Sequence, residues 1–267
     1  MSNPIITLTT DFGYKDPLSG VMKGVILSIN PSVSIVDMTH GISKYDVREA
    51  ALTIGSTYMQ FPLRTIHIVV TDPGVGSERR PIMLATDSYY FIGPDNGVFS
   101  LMFGNKRCEV RHLTSSHYFL RRISKTFHGR DIFAPVAAWL SKGIDVSKFG
   151  EVINDFVKLD LPTPIEKSSV AIEGEVILID HFGNAITNIT ALDIDRIKSA
   201  ANGTLKIIIK GKEVMVKDYY GQAGDRGLYG IIGSLDYLEL FVNKGNASQE
   251  FNIKVGDALG IIVVGGK

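Results

Sequence analysis

The hydrophobic pattern changes character once along the chain, near residue 150, and this change limits the folds open to it. Before it, short apolar runs alternate with segments whose apolar residues recur at helical spacing. The predicted strands are residues 5–9, 33–36, 65–70, 82–85 and 89–92, and the predicted helices, the first with Asp16 as N-cap, are residues 16–29, 46–58 and 132–140. Such alternation is typical of a largely parallel sheet with helices on its faces. We predict an α/β domain with a largely parallel central sheet over residues 1–158.

The second part of the chain is rich in β-forming residues. Residues 159–169, which include the stretch Asp160-Leu161-Pro162-Thr163-Pro164, are predicted to be an extended linker. Strands are then predicted at residues 170–179, 204–209, 213–217, 238–242 and 259–264, separated by glycine, asparagine and aspartate. Short strands at this spacing favour a small barrel or sandwich. Residues 170–267 are therefore predicted to form a small, all-β, barrel-like domain.

Charge and cysteine content exclude several classes of function. The 28 Lys and Arg residues balance the 28 Asp and Glu residues, whereas a nucleic-acid-binding domain usually carries a basic excess. The single cysteine, Cys108, forms no intramolecular disulfide and no cysteine cluster for a metal. The N-terminus lacks the pattern of a signal peptide, and the apolar runs are shorter than the ~20 residues of a membrane helix. We expect a cytoplasmic protein with no membrane, nucleic-acid or metal partner.

One predicted strand, residues 65–70, runs into Asp72 and a glycine-rich loop that ends at Arg79. Open α/β sheets bind ligands at the carboxyl ends of their strands, so an acid and a base are expected at that edge. Gly74 and Gly76 are expected to curl the loop until Arg79 returns toward Asp72. The chain has no Walker A motif and no Gly-x-Ser-x-Gly elbow, so the common phosphate-binding and acyl-transfer chemistries lose support.

Five segments together carry a more specific signal. They are Thr9-Thr10-Asp11-Phe12-Gly13, the loop from Asp72 to Arg79, Pro94-Asp95-Asn96-Gly97, Thr126-Phe127-His128-Gly129-Arg130-Asp131, and the stretch from Asp180 to Ile189. In this order and at this spacing they resemble the S-adenosylmethionine hydrolases that form adenosine and methionine. These enzymes are also called S-adenosylmethionine hydroxide adenosyltransferases, and they are related to the fluorinase and chlorinase. The resemblance extends from about Ile5 to the C-terminus.

The resemblance implies a two-domain subunit and a specific assembly. It implies an N-terminal α/β domain, a C-terminal β-barrel and a homotrimer. Active sites would lie between the N-terminal domain of one subunit and the C-terminal domain of its neighbour. The implied ligand is a small molecule, S-adenosylmethionine, which is the substrate, and no further cofactor is expected.

Asp72, Arg79 and His128 match the positions of the family's proposed water-handling triad. The implied reaction is displacement at the ribose C5′ carbon, with a sulfonium that leaves as a neutral thioether and needs no general acid. The remaining needs are in-line geometry and a nucleophilic water or hydroxide. Arg79 would favour hydroxide, while Asp72 and His128 would orient the water and accept its proton. The alternative is a structural ion pair between Asp72 and Arg79 beside a helix-start histidine.

The resemblance also implies a substrate-binding set. Asp11 would bind the two ribose hydroxyls, since a carboxylate accepts two hydrogen bonds side by side. Without the other motifs, an N-cap or turn aspartate would be the better interpretation. Phe182 would stack on adenine and Asn184 would pair with its edge, the alternative being an ordinary β-turn. Leu235 stands where the halogenases have an arginine, which leaves the holder of the methionine carboxylate open. The other predicted contacts are Tyr45 for the nucleoside, Asp16, Asp180 and Ser234 for the methionine end, and Phe127, Gly129 and Ala247.

Three differences favour water over halide as the nucleophile. The Asp72, Arg79 and His128 set is present, Gly129 replaces the fluorinase serine that contacts fluoride, and the long fluorinase insertion before the Pro94–Gly97 turn is missing. The predicted function is hydrolysis of S-adenosylmethionine to adenosine and methionine. A chlorinase-like halogenase and a non-catalytic adenosine- or S-adenosylmethionine-binding protein stay open as alternatives.

Overall fold

Near residue 160 the chain passes from one structural unit to another. The computed structural model describes residues 3–103, 108–200 and 203–265. Unit 1 comprises Met1–Asp160 and unit 2 comprises Leu161–Lys267. Each unit has its own apolar core.

Unit 1 is built on a mixed sheet. Its strands among the described residues are β1 (Ile5–Thr10), β2 (Ser34–Thr39), β3 (Ile66–Val70), β4 (Pro81–Thr86), β5 (Tyr90–Pro94) and β6 (Cys108–His112). They lie in the order β2-β1-β3-β5-β4-β6. The first four are parallel, whereas β4 is antiparallel to both β5 and β6. The expectation of a largely parallel sheet therefore holds only for these four strands, and the sheet as a whole is mixed. Residues 87–89 alone separate β4 from β5, and so short a connection forces neighbouring strands to be antiparallel.

Helices cover both faces of this sheet. They are α1 (Leu18–Ile29), α2 (Val47–Thr57) and α3 (Ala134–Ser141). Ile6 and Leu8 of β1 pack with residues of α1 and α3 in one core, while Ala50 and Ile54 of α2 pack with other strand residues in a second core. Each fully buried leucine or isoleucine side chain among these contributes about 1.5–3 kcal/mol. Burial on both faces explains why the strands read as nearly continuous apolar runs.

The helix ends follow from local sequence, with one correction. Asp46 accepts a hydrogen bond from the backbone N–H of Glu49 at 2.8 Å and caps α2. At α1 the expected Asp16 cap is wrong: Pro17 occupies the N-cap position and no side chain caps the helix. Short 3₁₀ turns occupy Tyr58–Gln60, Ser100–Met102, Ser116–Tyr118, Val146–Lys148 and Tyr220–Gln222. Within the described ranges, no helix has the length and apolar character needed to cross a membrane.

Unit 2 is a closed barrel with an additional edge strand. Its strands in the described part of the chain are β7 (Ile165–Ser168), β8 (Ala171–Ile179), β9 (Ala185–Thr190), β10 (Gly203–Ile209), β11 (Lys212–Val216), β12 (Leu228–Ile232), β13 (Tyr237–Val242) and β14 (Ala258–Gly265). The order is β14-β10-β11-β12-β13-β9-β8-β7, and pairing of β14 with β8 closes the barrel. The barrel-like prediction is confirmed at this level. Strand β7 lies inside the segment predicted as a linker.

The sequence prediction missed β9, β12 and two short helices of unit 2. Those helices are α4 (Ala191–Ser199) and α5 (Ala247–Glu250). A readable signal for α4 existed, because Thr190 and Asp193 form a reciprocal capping box in which each side chain binds the other's backbone N–H. Strand β9 follows a glycine–asparagine turn and carries polar Thr187 and Asn188 inside, so its pattern resembles a loop.

Candidate active site and nucleoside-binding turn

A cavity of about 530 Å³ opens in unit 1 where β1 and β3 end. Cavities of this size typically bind small organic ligands. The parallel strands bring their carboxyl ends to the same edge, so residues far apart in sequence meet there. Six of the predicted site residues line it: Asp11, Tyr45, Asp72, Phe127, His128 and Gly129.

Asp72 and Arg79 form a buried, two-pronged ion pair at this cavity. Arg79 Nε donates to Asp72 Oδ1 at 2.9 Å, and Arg79 Nη2 donates to Asp72 Oδ2. Their side chains are only 5% and 9% exposed. The loop can return this tightly because Gly76 has a φ of +78°, and a Cβ there would lie 2.1 Å from the carbonyl oxygen of Lys125. Asp72 lines the cavity while the guanidinium stands behind it.

His128 is tied to the same guanidinium, and this contact fixes its tautomer. Arg79 Nη2 lies 2.7 Å from His128 Nδ1. Because a guanidinium has no acceptor, Nδ1 must accept the hydrogen bond, and a neutral imidazole then carries its hydrogen on Nε2. Partial burial lowers the pKa of His128, and the charge of Arg79 lowers it further against the opposing charges of Asp72 and Asp131. The neutral form, with an Nε2–H donor, is therefore favoured.

The turn after His128 is held by a fully buried carboxylate. Residues Gly129–Phe133 form a single π-helical turn, a feature often found at functional sites. Asp131 accepts hydrogen bonds from Arg130 Nε at 2.6 Å and from the backbone N–H of Ser124 at 2.7 Å. Arg130 in turn lies over the ring of Phe127, 5.2 Å from its centroid. These contacts set the backbone from which Phe127 and His128 project.

The Pro94-Asp95-Asn96-Gly97 segment supports the site from behind. Asn96 Nδ2 donates to the carbonyl oxygen of Thr71 at 2.9 Å, which fixes the residue immediately before Asp72. Asp95 accepts hydrogen bonds from Arg80 and from the backbone N–H of Val157. This motif therefore contributes to positioning, and none of its residues lines the cavity.

Asp11 and Tyr45 form another wall of the cavity. The backbone N–H of Tyr45 donates to Asp11 Oδ2 at 2.9 Å. The second carboxylate oxygen, Oδ1, can accept a hydrogen bond from a ligand hydroxyl. Tyr45 has a φ of +67°, an uncommon value for an aromatic residue, and its side chain is 71% exposed. Phe12 packs edge-on against Phe127 with ring centroids 5.8 Å apart.

Not every predicted residue of unit 1 reaches this cavity. Asp16 is exposed in the turn before α1 and is not among the lining residues. Several lining residues have no individual role in the sequence-based prediction, although four of them, Phe12, Val75, Thr126 and Arg130, lie in the motif segments; the others are Leu18, Lys44, Val70 and Ser124. A sequence signal exists for Lys44, which directly precedes the predicted site residue Tyr45.

A second cavity, of about 520 Å³, lies in unit 2 beside the turn between β8 and β9. Asp180 Oδ1 accepts hydrogen bonds from the backbone N–H groups of Phe182 and Asn184 at 2.9 and 2.8 Å, and Oδ2 accepts one from Asn184 Nδ2 at 2.9 Å. Phe182 and Asn184 line the cavity, and the Phe182 ring is 72% exposed. Asn184 keeps its carbonyl oxygen and one N–H for a ligand.

The other predicted residues of unit 2 stand outside the lining of this second cavity. Ser234 is exposed in the turn between β12 and β13, and Ala247 is buried as the first residue of α5. Asp180 accepts its hydrogen bonds within the turn and does not line the cavity.

Sequence reasoning missed two side chains near that turn. Tyr220 lines the second cavity and donates to buried Glu239 Oε2 at 3.1 Å. Burial raises the pKa of Glu239, and although the Tyr220 hydrogen bond opposes this, the charge of Asp180 adds to it. Burial, followed by the charge of Glu239, raises the pKa of Tyr220 to about 12. Within the described residues, no cluster of three metal-binding side chains occurs.

Family models and individual relatives place the chain in the same protein family. The family model described as the SAM hydroxide adenosyltransferase N-terminal domain matches residues 6–150, and that of the C-terminal domain matches residues 174–260. The chain is 35% identical to an (R)-S-adenosyl-L-methionine hydrolase of Methanocaldococcus jannaschii, covering 97% of this chain and 95% of that protein. It is 28% identical to a fluorinase of an Actinoplanes species, covering 95% and 96%.

A solved structure shares the fold. The crystal structure of an uncharacterized conserved protein from Thermotoga maritima superposes with a TM-score of 0.88 at 34% sequence identity. The match covers 96% of this chain and 99% of that one. The structural similarity to this protein therefore includes residues of both unit 1 and unit 2.

Proposed function

This chain belongs to the SAM hydroxide adenosyltransferase family, and we propose that it hydrolyses S-adenosyl-L-methionine to adenosine and L-methionine. The observation that carries the proposal is the contact of Arg79 with both Asp72 and His128 at the edge of the unit 1 cavity. The relatives named as hydrolases, which are 30–35% identical over nearly the whole chain, support the same reaction.

In the proposed reaction, a water oxygen attacks ribose C5′ as the C5′–S bond breaks. The electron pair of that bond stays on sulfur, so methionine departs as a neutral thioether. The water then loses one proton to give the 5′-hydroxyl of adenosine. Asp72 is the proposed acceptor, because each of its oxygens keeps a lone pair beyond the one used by Arg79. His128 is proposed to orient the water by donating a hydrogen bond from Nε2–H. Because Nδ1 already accepts from Arg79, His128 has no free nitrogen to accept the water proton, the role that the resemblance had implied.

The remaining site residues are proposed to bind the substrate. Asp11 binds the ribose hydroxyls, with Tyr45 and Phe127 as apolar walls of the nucleoside site. Phe182 stacks on adenine and Asn184 pairs with its edge. The methionine end is assigned to Asp16, Asp180 and Ser234, and Ala247 completes the set; these assignments rest on the family resemblance.

The environment of Gly129 supports water over halide. A Cβ at this position would lie 3.1 Å from Met22 Sδ and 3.3 Å from the Phe127 ring. A serine such as the fluorinase has at this position would therefore require the neighbouring side chains to shift.

The reaction is tested by incubating purified protein with S-adenosylmethionine and separating the products by chromatography. We expect adenosine and methionine in equal amounts, in chloride buffer and in chloride-free buffer alike. Addition of a metal chelator is expected to leave the rate unchanged, because the sulfonium needs no further activation. Formation of 5′-chloro-5′-deoxyadenosine would instead establish a halogenase. Binding of adenosine without any product release would establish a non-catalytic binding protein.

The assembly and location are also part of the proposal. A homotrimer is proposed from the family resemblance, and a cytoplasmic location from the single cysteine, which suits a reducing compartment. Sedimentation analysis is expected to give three times the chain mass of 29.2 kDa. A monomer at micromolar concentration would contradict the trimer.

A further inference from the structure

Two segments of unit 1 are hydrogen-bonded to each other beside Asp11. The backbone N–H of Gly13 donates to the carbonyl oxygen of His40 at 2.7 Å, and that of Ile42 donates to the carbonyl oxygen of Thr10 at 3.4 Å. The hydrogen bond from Tyr45 N–H to Asp11 Oδ2 is a third tie between the same segments. The position of the Asp11 carboxylate thus depends on how residues 10–13 and 40–45 are joined.

A chain of side chains connects these segments to the surface. Thr10 Oγ1 lies 2.8 Å from His40 Nδ1, and both residues are almost completely buried. His40 Nε2 lies 3.0 Å from Asp37 Oδ1, at an angle too oblique for an aligned hydrogen bond. Lys23 Nζ donates to Asp37 Oδ2 at 2.6 Å, and these two side chains are about one-third exposed.

The hydrogen bonds of this chain have one direction. A carboxylate beside Nε2 favours the imidazole tautomer with hydrogen on Nε2, which leaves Nδ1 as an acceptor. The Thr10 hydroxyl then donates to Nδ1, and its oxygen accepts from the backbone N–H of Phe12 at 3.2 Å. The Phe12 amide thus donates to the Thr10 hydroxyl and that hydroxyl donates to His40, while the Nε2–H lies beside the Asp37 carboxylate without an aligned hydrogen bond. No donor faces another donor.

The order hydroxyl, imidazole, carboxylate is also that of a nucleophilic triad. Thr10 is 0% exposed and its oxygen already accepts from Phe12 N–H, so the hydroxyl has no access to a substrate. The series of side chains from Asp37 through His40 to Thr10 is therefore suited to hold the backbone on either side of Asp11. It is not suited to covalent chemistry.

We propose that Thr10, His40 and Asp37 are positioning residues that set the Asp11 carboxylate for the two ribose hydroxyls. This inference rests on the proposed function, in which Asp11 binds the ribose. It assigns the buried histidine a role in discriminating ribonucleosides from nucleosides that lack those hydroxyls. The geometry that carries it is the continuous contact from Asp37 through His40 and Thr10 to the backbone on both sides of Asp11.

The test compares three threonine variants with two ligands. Thr10→Val removes the hydroxyl at nearly constant volume, and Thr10→Ser keeps it. Thr9→Val is the matched control, since Thr9 is also 0% exposed and its hydroxyl has no hydrogen-bond partner among the described residues. Affinities for adenosine and for 2′,3′-dideoxyadenosine are measured by calorimetry. Thr10→Val is expected to weaken adenosine binding about tenfold, the scale of one lost hydrogen bond, and to leave dideoxyadenosine binding unchanged. Thr10→Ser and Thr9→Val are expected to match the wild-type protein.

Equal weakening of both ligands by Thr10→Val would make Thr10 merely structural and would overturn the proposal. A double-mutant cycle with Asp11→Asn adds an independent readout: the two effects are expected to be strongly non-additive, and full additivity overturns the proposal. If Thr10→Val does not fold, Asp37→Asn replaces it, since Asp37 is the partly exposed end of the side-chain series. This variant is expected to weaken adenosine binding selectively, by less than Thr10→Val, and equal weakening of both ligands would refute the proposal.

The outcome is separable from that of the proposed function. A wild-type protein that binds adenosine but releases none from S-adenosylmethionine refutes the hydrolase assignment and leaves the ligand comparison decisive. A wild-type protein that hydrolyses S-adenosylmethionine but binds both nucleosides equally overturns the ribose role of Asp11, and with it the positioning role.

Discussion

The two candidate sites are built in opposite ways. In unit 1, Arg79 is hydrogen-bonded to both Asp72 and His128, and the Asp72 and Arg79 side chains are at most 9% exposed. In unit 2, the Asp180–Asn184 turn is held rigidly by the Asp180 carboxylate, yet the Phe182 ring at its tip is 72% exposed. The unit 1 site fixes each of its three functional groups. The unit 2 turn fixes its backbone and the Asn184 amide but leaves the Phe182 ring exposed.

The difference matches the physical demands of the proposed roles. Displacement at carbon requires a nucleophile in line with the breaking bond, and a small displacement of the group that orients it is costly. Stacking on a base needs only an accessible aromatic face and tolerates small shifts of the ring. The set of Asp72, Arg79 and His128 should therefore control the rate of the chemical step, while the turn of unit 2 should control affinity for the base.

The largest expected effect is that of Asp72→Asn. It removes the proposed proton acceptor and leaves Arg79 without its charge partner, so kcat is expected to fall about 10²- to 10⁴-fold. Adenosine affinity is expected to stay near the wild-type value by calorimetry. Asp87→Asn, at an exposed carboxylate in the β4–β5 connection, is the control and should leave both values unchanged. A parallel loss of adenosine affinity would assign Asp72 to the scaffold and remove the contrast between the sites.

Phe182→Ala is expected to act on affinity instead. Loss of one base-stacking contact costs roughly 1–3 kcal/mol, about 5- to 150-fold in KM, with a much smaller change in kcat. Because the ring is 72% exposed, the thermal midpoint should change little. Phe182→Tyr keeps an aromatic face and is expected to retain most of the affinity. Steady-state kinetics checks this, and a fall in kcat with constant KM would contradict the comparison.

The smallest effect near neutral pH is expected from the protonation of His128. Its pKa lies below the usual 6.5, because burial and the charge of Arg79 both disfavour the imidazolium. Protonation would place an N–H on Nδ1 against the Arg79 donor and break the contact between them. We expect kcat/KM to be constant down to pH 6.5 and to fall at lower pH, by up to tenfold per unit for one proton. An acid limb that begins above pH 6.5 would show that His128 is not held in this way.

Local patterns predicted elements best where they are strong and short in range. The strands ending at Val70 and Thr10 and the helix capped by Asp46 follow from apolar periodicity and a capping residue. The direction of β4, the strand β9 and the strand β7 did not follow, because strand direction and edge pairing depend on partners that no local window contains. The five motif segments indicated the family, and the comparisons agree with it.

The sequence by itself determined the residue types available for the chemistry: a carboxylate and an arginine in one glycine-rich loop, a histidine before a helix, and an aromatic–asparagine turn in the β-rich part. Only the tertiary structure decided how they act. It placed Arg79 against His128 Nδ1, which selects the Nε2–H tautomer, left exposed Asp16 outside the cavity lining, and joined His40 to Thr10 beside Asp11. The physical reason is that a hydrogen bond depends on distance and direction within about an ångström, and these are set by the packing of strands far apart in the chain.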